Sequence, residues 1–401
     1  MPLVFKLLPK VLKVTDNSNR TYSITFKILN KMATINDACY VANIALAAAT
    51  GGNEPGMSLP TANAKTFNAL VASQNRAAAR SGGIKITPVA GKQTPQSGTN
   101  RALTVEYYNN GCDDTIIDLD GCYDVTSAAV TVGPGTALTD NIYLSKNIGM
   151  QFVIKECDFL DSCDTVTRAL QAKLTKFRQA ALKKVNNETI AHLAANAGNY
   201  WTNDGTAVVD SKTNPRSLKL FKTDNTTPQP EGWYPLDAQM GLQGATSYTF
   251  VGQSKTDAYA KIKGLYRGNV DGADDAKAAA IAANISSDVN IGLVTEETDD
   301  AIVWIDGYVH FVPKVDFVNE IRTDVRRSYS QELAPGLPID VTVYRDDSKK
   351  FPQYIYTFQV DYGFWNVPDE FFAETCLEYH NGILLYKEAC ADAVCADLIQ
   401  Y

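Results

Sequence analysis

The stretch SCDTVTRALQAKLTKFRQAALKKVNNETIAHLAAN, residues 162–196, decides how the rest of the chain is interpreted. It contains neither glycine nor proline, and it is rich in alanine, leucine, lysine and glutamine, which all favour helix. Apolar residues recur three or four positions apart, at Val166, Leu170, Leu174, Phe177, Ala181 and Val185. This spacing predicts one amphipathic helix of roughly 50 Å. Ser162 or Asp164 can cap its beginning, and Gly198 suits its end.

The predicted helix is basic, although the whole chain carries a net charge of −8. Beyond its first turn the cations are Arg168, Lys173, Lys176, Arg178, Lys183 and Lys184, with Glu188 as the opposing carboxylate. Two explanations fit this excess of charge. It is either a solvated face opposite the apolar stripe or a surface turned toward a polyanion. The residues alone favour the solvated face.

A second long element is predicted near the C-terminus, within KKFPQYIYTFQVDYGFWNVPDEFF, residues 349–372. The residues on one predicted face are Tyr354, Tyr356, Phe358, Val360 and Tyr362, and they alternate with Ile355, Thr357, Gln359 and Asp361. Alternation with a period of two predicts a β-strand, here flanked by Pro352 and Pro368. About 13 residues of strand exceed 40 Å, nearly the length of the helix. The two elements together predict a flat, elongated α+β body.

The remaining composition predicts a division of the chain into segments. They are a basic segment 1–31, an N-terminal arm with Ala-rich helices 32–83, an extended loop region 84–148, a helix-bearing region 149–199, an inserted α+β domain 200–305, and a return to the body with long strands 306–401. Within them we expect helices over 33–50 and 62–80, strands over 102–108, 149–159, 247–253, 291–297, 301–307 and 308–314, and mostly loops over 199–243. The extended region is polar and poor in large apolar residues, so it cannot bury itself.

The basic segment 1–31 does not match a secretory signal, because Lys6, Lys10 and Lys13 interrupt its apolar residues. It is either a basic arm or the product of an early start, with translation beginning at Met32. The residues support both equally. No apolar run approaches the roughly 20 residues of a membrane-spanning helix, so no membrane partner is expected.

The sequence offers no constellation of catalytic residues, and we expect neither an enzyme nor a cofactor. Residues 90–94, AGKQT, lack the first glycine and the hydroxyl of a phosphate-binding loop. Residues 252–256, GQSKT, lack the closing glycine of a nucleophile elbow. The aspartates of 113–120 and 271–275 do not fit the twelve-residue calcium loop, and solvated acidic turns are the better interpretation.

The eight cysteines include no Cys-x-x-Cys pair, and the chain has only three histidines, so a zinc site is not expected. The closely spaced cysteines are Cys112 and Cys122, Cys157 and Cys163, and Cys390 and Cys395. They are either disulfides or buried thiols. A chain of this size can bury enough surface without disulfides, which favours thiols in a reducing cytosol.

The order of these segments resembles that of the major capsid proteins of tailed double-stranded DNA bacteriophages, which have the Hong Kong 97-type (HK97-like) fold. The likeness is greatest in GLPIDVTVYRDDSKKFPQYIYTFQVDYGFWNVPDEFFAETCLEYHNGILLYKEAC, residues 336–390. This stretch is similar to the end of capsid proteins from phages of Bacteroides-type hosts, including the crAss-like group. The order of elements covers most of residues 32–401, but a long scaffolding-like segment before them is missing.

The resemblance implies a peripheral domain built on a long spine helix and long β-strands, an axial domain inserted at 200–305, and an extended loop, 84–148, that reaches over a neighbour. It implies a structural protein of the virion that forms pentamers and hexamers of an icosahedral shell around packaged DNA. Assembly would take place in the host cytoplasm, with scaffolding proteins, auxiliary capsid proteins and a portal as further partners.

In that family the spine helix lies toward the shell interior. The resemblance therefore implies that the six cations of 168–184 screen DNA phosphates in the lumen without reading sequence. Two alternatives from other classes remain. One is an encapsulin-like compartment shell, which shares the fold but carries a cargo-binding groove. The other is an exported β-rich surface or adhesin protein, for which residues 1–31 supply no export signal.

Overall fold

The computed structural model describes residues 12–15, 21–24, 64–78, 85–88, 102–109, 136–155, 163–202, 208–218, 234–242, 245, 247–253, 256, 284–296, 300–313, 326–334, 337–348, 350, 352–368 and 382–388. The predicted helix over 33–50 lies outside these residues. The chain is a mixed α+β protein. Its helices are α1 (Lys65–Ala78), α2 (Cys163–Ala195), α3 (Tyr234–Leu242) and α4 (Asn290–Thr295).

The strands form sheets of different size. They are β1 (Leu12–Thr15), β2 (Thr21–Ile24), β3 (Lys85–Pro88), β4 (Ala102–Asn109), β5 (Thr136–Tyr143), β6 (Lys146–Lys155), β7 (Asn199–Trp201), β8 (Val208–Asp210), β9 (Arg216–Leu218), β10 (Tyr248–Gly252), β11 (Ile285–Ser287), β12 (Asp300–Ile305), β13 (Val309–Pro313), β14 (Arg326–Ala334), β15 (Leu337–Asp346), β16 (Gln353–Asn366) and β17 (Ile383–Glu388). We call β6 with β13–β16 the long sheet, β9–β12 with β17 the mixed sheet, and β3–β5 the outer sheet. Two short hairpins, β1–β2 and β7–β8, complete the pairings.

The predicted long helix is confirmed: α2 contains 33 residues and begins and ends within one residue of the predicted bounds. Its apolar stripe is buried where it faces the long sheet, and the Phe177 ring lies 5.4 Å from that of Phe358 on β16. Further along, Tyr362 of β16 donates a hydrogen bond of 2.7 Å to Glu188 of α2. The helix therefore follows the strand lengthwise rather than crossing it.

The predicted long strand is also confirmed: β16 has 14 residues and forms the middle of the long sheet. The side chains predicted to share one face are buried, with relative exposures of 2% or less from Tyr354 to Tyr362. β6 pairs with one edge of β16, whereas β15 and, beyond it, β13 pair with the other edge, since Tyr362 has a partner in both β6 and β13. All these pairings are antiparallel.

The mixed sheet is covered on both faces, because its central strand β12 sends alternate side chains to different cores. Ile302 and Trp304 join the large core that includes α1 and α2, while Ala301 and Val303 pack with Leu236 of α3. β17 lies beside β12 in this sheet, so the sheet contains a strand from outside residues 200–305. The predicted division of the chain into domains stays a prediction.

The first turn of α1 is fixed by side chains from two other elements. The buried Asp288 carboxylate accepts hydrogen bonds from the Thr66 N–H (3.1 Å), the Thr66 hydroxyl (2.7 Å) and the Asn186 amide of α2 (2.7 Å). The Asn186 side-chain oxygen accepts the Phe67 N–H at 2.9 Å. Free N–H groups at the start of a helix favour a negative charge, so this cluster joins α1 to α2.

The outer sheet is attached to the body through a short joint. β5 and β6 are separated only by Leu144, which is buried, and Ser145. At this joint the Trp365 indole of β16 donates a 2.8 Å hydrogen bond to Asp140 of β5. Gly363 has no room for a side chain, since an added Cβ would lie 2.5 Å from the Tyr143 carbonyl oxygen. A glycine is therefore required where β5 crosses β16.

One expectation of local structure is wrong. Residues 291–297 were expected to form a strand, but α4 occupies Asn290–Thr295, because Asp288 accepts the Asn290 N–H at 3.0 Å and starts a helical turn. The left-handed Glu296, at φ 63°, ends the helix. Residues 199–243 were expected to be loop-rich, and their described part also holds β7, β8, β9 and α3. β9 is stabilised by distant pairing with β17, and Pro235 fits the first turn of α3.

The predicted strands over 102–108, 149–159, 247–253, 301–307 and 308–314 are confirmed as β4, β6, β10, β12 and β13, and the predicted helix over 62–80 as α1. Among the described helices, none combines the length and the apolar character that crossing a membrane requires.

We expect Phe177→Ala to lower the free energy of unfolding by about 3–5 kcal/mol, because it removes the ring that packs between α2 and β16. Denaturant titration measures the change. Leu293→Ala on α4 is the matched control, since Leu293 is 72% exposed and its truncation should change stability by only about 0.5 kcal/mol. Equal effects of the two substitutions would contradict the packing of α2 on the long sheet.

Candidate nucleic-acid interface

The six cations predicted as a site all lie on α2, but they do not share one face. Consecutive helical residues are about 100° apart around the axis. On that basis four cations lie on one side of the helix: Lys173, Lys176, Lys183 and Lys184. Successive members of this set are three, seven and one residues apart, and all four side chains are exposed. We call these four residues the lysine stripe. It extends over roughly 17 Å of helix.

The two arginines are placed differently around the helix. Arg168 is exposed and lies within about 80° of Lys176 and Lys183, so it flanks the lysine stripe. Arg178 is half-buried and lies more than about 100° from each of the four lysines. Among the residues that the structure describes, the buried Arg178 Nε has no hydrogen-bond partner. The helix thus separates Arg178 from the other five predicted residues.

The lysine stripe keeps most of its charge available. Lys184 lies 3.9 Å from Glu188, four residues along the helix, and Lys146 of β6 lies 3.9 Å from the same carboxylate. In the described part of the chain, no carboxylate pairs with Lys176 or Lys183. Exposed pairs at such distances contribute little stability, so Glu188 leaves the stripe with a net positive charge.

Glu188 has a second role that fixes its position. Burial and the hydrogen bond to Glu188 both raise the pKa of Tyr362 far above its ordinary value, so this phenol stays protonated and donates. The carboxylate is therefore tied to β16 on one side while it meets Lys146 and Lys184 on the other. The sequence showed Glu188 as an isolated acid, but only the packing of α2 on β16 gave it these partners.

The arrangement of the lysine stripe suits non-specific contact with phosphates. Lysine is a flexible point charge on a long stem, and it lacks the flat, two-pronged donor set with which arginine reads guanine. A row of exposed lysines can displace condensed counterions from a nucleic-acid backbone without reading sequence. The Lys173 ammonium lies 6.0 Å from the centre of the Phe152 ring on β6, which holds this end of the stripe beside the strand.

The motif at 252–256 resembled an incomplete nucleophile elbow. Its backbone N–H groups are hydrogen-bonded by a side chain of the protein itself. Glu388 of β17 is fully buried and accepts the Gln253 N–H, the Thr256 N–H at 3.2 Å and the Thr256 hydroxyl at 2.5 Å. Backbone N–H groups after a strand are the donors that bind phosphate in nucleotide-binding loops. Here a carboxylate of the same chain occupies them.

The remaining predicted sites fall largely outside the described residues. Residues 90–94, 113–120 and 271–275 lie there, as do Cys157, Cys390 and Cys395. Cys163 is the first residue of α2. Within the residues described, no group of three or more histidine, cysteine, aspartate or glutamate side chains is placed to hold a metal ion.

Two partly buried histidines flank the end of β16 and were not predicted to matter. His192 of α2 stacks on Phe364 with ring centres 4.7 Å apart and contacts the Asn366 side chain at 2.9 Å. His310 of β13 lies 5.5 Å from the Trp365 ring. Burial lowers the pKa of both histidines, and the nearby Lys146 ammonium lowers that of His192 further.

The chain was compared with known proteins. No family model and no curated protein matches it. Solved structures to which it is similar include a chain of the Cyanophage A-1(L) capsid asymmetric unit, at 12% identity and a TM-score of 0.41, covering 72% of this chain and 87% of that one.

Two further similar chains come from the capsid of Cyanophage P-SCSP1u and the mature capsid of bacteriophage PhiM1, both at 10% identity, with TM-scores of 0.35 and 0.34. They cover 73% and 74% of this chain, and 84% and 83% of their own. Because these TM-scores lie below 0.5, the likenesses assign neither a fold family nor a function.

We expect the stability of the protein to fall on acidification through its buried histidines. The pKa of His310 is lower in the folded chain than in the unfolded one, so folding favours the neutral ring. This contribution is complete above the ordinary pKa of about 6.5 and is lost as the pH falls through the lower folded value. Thermal unfolding of the wild type and of His310→Gln between about pH 7.5 and about pH 5 measures it.

The wild type should lose more stability over this pH range than His310→Gln does, since the amide cannot take up a proton. His192 is present in both proteins and cancels in the comparison. Identical pH dependences of the two proteins would contradict the assignment of a buried, neutral His310.

Proposed function

We propose that the chain is a structural protein, the major capsid protein of a tailed double-stranded DNA bacteriophage with the HK97-like fold. It self-assembles into pentamers and hexamers of an icosahedral shell that encloses the genome. The single observation that supports this most is the lengthwise packing of the 33-residue α2 on the 14-residue β16, with the outer sheet attached through a two-residue joint.

A subunit of a thin shell must be rigid within the plane of the shell and must contact several copies around its rim. The subunit is rigid along the direction of α2 and β16, because both elements extend over roughly 45–50 Å and share one core. The outer sheet, β3–β5, lies beyond the joint at Leu144 and Ser145, where it is free to contact other copies. Head-to-tail contacts of this kind close into rings.

In this proposal α2 is the spine helix and the lysine stripe faces the lumen. Residues 149–199 and 306–401 form the peripheral domain, 200–305 the axial domain, 84–148 the extended loop, 32–83 the N-terminal arm and 1–31 a basic segment. Packaged DNA is a non-specific partner of the stripe. Scaffolding proteins, auxiliary capsid proteins and a portal are the further partners, and the virion is the location, after assembly in the host cytoplasm.

The first experiment is assembly of the purified protein. We expect electron micrographs of the full chain to show closed particles or curved sheets, because the outer sheet and the rim of the body must be covered by neighbouring copies. Coexpression with a scaffolding partner is the second arm, since closure can require one. A monodisperse monomer at micromolar concentration in both arms would overturn the proposal.

The second experiment tests the lumen-facing role of the lysine stripe. We expect the variant Lys173→Gln, Lys176→Gln, Lys183→Gln, Lys184→Gln to bind a short DNA duplex more weakly. The plot of log K against the logarithm of the salt concentration should become less steep, by about 0.9 in the magnitude of its slope for each phosphate that the variant no longer neutralises. Fluorescence anisotropy at several salt concentrations measures both quantities.

The matched control neutralises four exposed lysines elsewhere: Lys65, Lys155, Lys212 and Lys350. Both variants have the same net charge, so a general electrostatic effect would weaken them equally. Equally weakened binding by the two variants would remove the DNA-facing role and leave the fold assignment untouched.

A further inference from the structure

The long sheet has an unpaired edge at β6. This strand contributes ten residues, and its inner edge pairs with β16 along its entire length, from Lys146 opposite Tyr362 to Lys155 opposite Gln353. Among the described residues, no strand pairs with its outer edge. An unpaired edge presents a row of N–H and C=O groups that can accept a further strand.

The surroundings of this edge are basic. Lys146 and Lys155 stand at the two ends of β6, and both are exposed. The strand itself, KNIGMQFVIK, contains no acidic residue. Lys173 of α2 is exposed and its ammonium lies over the Phe152 ring of β6, and Lys176, also exposed, follows one turn further along the helix. The described carboxylates that contact β6 lie at its Lys146 end and already have donors: Glu188 is bonded to Tyr362, and Asp361 accepts hydrogen bonds from the Asn147 and Gln359 side chains.

The two faces of β6 offer different contacts at the middle of the edge. On the face toward α2, Phe152 is half-buried and stacks on Tyr356 at 5.0 Å, with the lysines above it. On the opposite face Val153 is 48% exposed, beside Ile355 of β16 and Tyr344 of β15, which is 42% exposed. A strand added here would thus meet cations on one face and apolar side chains on the other.

We propose that β6 is a docking edge for an extended, acidic segment of a partner protein, which adds to the long sheet as a further strand. Its carboxylates alternate with β-branched residues, so that the acids face Lys173 and Lys176 while the apolar residues lie beside Val153. Main-chain hydrogen bonds supply the affinity and the alternating side chains supply the specificity. The inference does not depend on the shell function proposed above.

The charges around β6 favour an acidic polypeptide over a second copy of this strand or a nucleic acid. A second copy of β6 would bring Lys146 and Lys155 against cations of like charge, which disfavours self-pairing of this edge. A nucleic-acid backbone can satisfy the lysines, but its phosphates cannot form the alternating donor and acceptor ladder of a strand. Only an acidic polypeptide in extended conformation satisfies both the ladder and the cations.

The test uses the full chain and fluorescein-labelled peptides. The probe TVEVEVTV places its glutamates on one face, TVQVQVTV removes the charge, and TVEPEVTV keeps the charge but cannot complete a strand ladder, since proline lacks the N–H group. We expect fluorescence anisotropy to show binding of the first peptide, weaker binding of the second, and no binding of the third at the same concentrations.

Paired variants of α2 locate the contact. Lys173→Gln with Lys176→Gln should weaken the binding of TVEVEVTV roughly three-fold to ten-fold, as expected for two exposed ion pairs. Lys183→Gln with Lys184→Gln carries the same charge change further along the helix and should leave peptide binding unchanged. Both pairs should weaken the binding of a DNA duplex, so the variant of Lys183 and Lys184 separates the peptide contact from the duplex contact.

Several results would overturn the proposal. Equal binding of the proline peptide would show a purely electrostatic contact without strand addition. Equal binding of the glutamine peptide would remove the selection for acid. A bound fraction of labelled peptide that falls as the protein concentration rises would assign the edge to a second copy instead of a partner. Each of these outcomes is distinct from failure to assemble, which concerns the shell function alone.

Discussion

The fold depends on the match in length between α2 and β16. A helix rises about 1.5 Å per residue and a strand about 3.3 Å, so elements of 33 and 14 residues reach nearly the same length. The apolar stripe of the helix meets the aromatic face of the strand at Phe177 and Phe358, and the contact continues at Glu188 with Tyr362 and at His192 with Phe364. Residues of α1, β12, β13 and β15 join the same large core.

Buried carboxylates hold the smaller elements in place. Asp288 binds the start of α1, Glu388 binds the turn after β10, and Asp306 accepts two hydrogen bonds from Arg76 of α1, at 2.7 and 2.8 Å. These bonds, with those from Thr249 and Ser247, keep the pKa of Asp306 low despite its burial. A buried charge without partners is costly, so each carboxylate favours the one arrangement in which its donors converge.

These buried carboxylates also explain why two sets of backbone N–H groups that resemble ligand sites are not available to a ligand. The N–H groups at the start of α1 and after β10 are the donors that could bind a phosphate, and both sets are occupied by acids from distant segments. The exposed charge of the chain is concentrated instead on α2 and β6, at the margin of the long sheet. These two sets of N–H groups are thus filled from within, whereas α2 and β6 offer exposed cations to large partners.

The sequence by itself determined α1, α2, β16, the strands β4, β6, β10, β12 and β13 and the basic character of the long helix, because periodicity and composition are local properties. The position of four cations on one side of α2 also follows from their spacing. Only the tertiary structure decided that Glu188 is shared between Tyr362 and two lysines, and that residues 290–295 are helical. The first outcome rests on the packing of α2 on β16, and the second on Asp288, which also binds Thr66 and Asn186 from distant parts of the chain. No local pattern specifies which distant donor a buried carboxylate will meet.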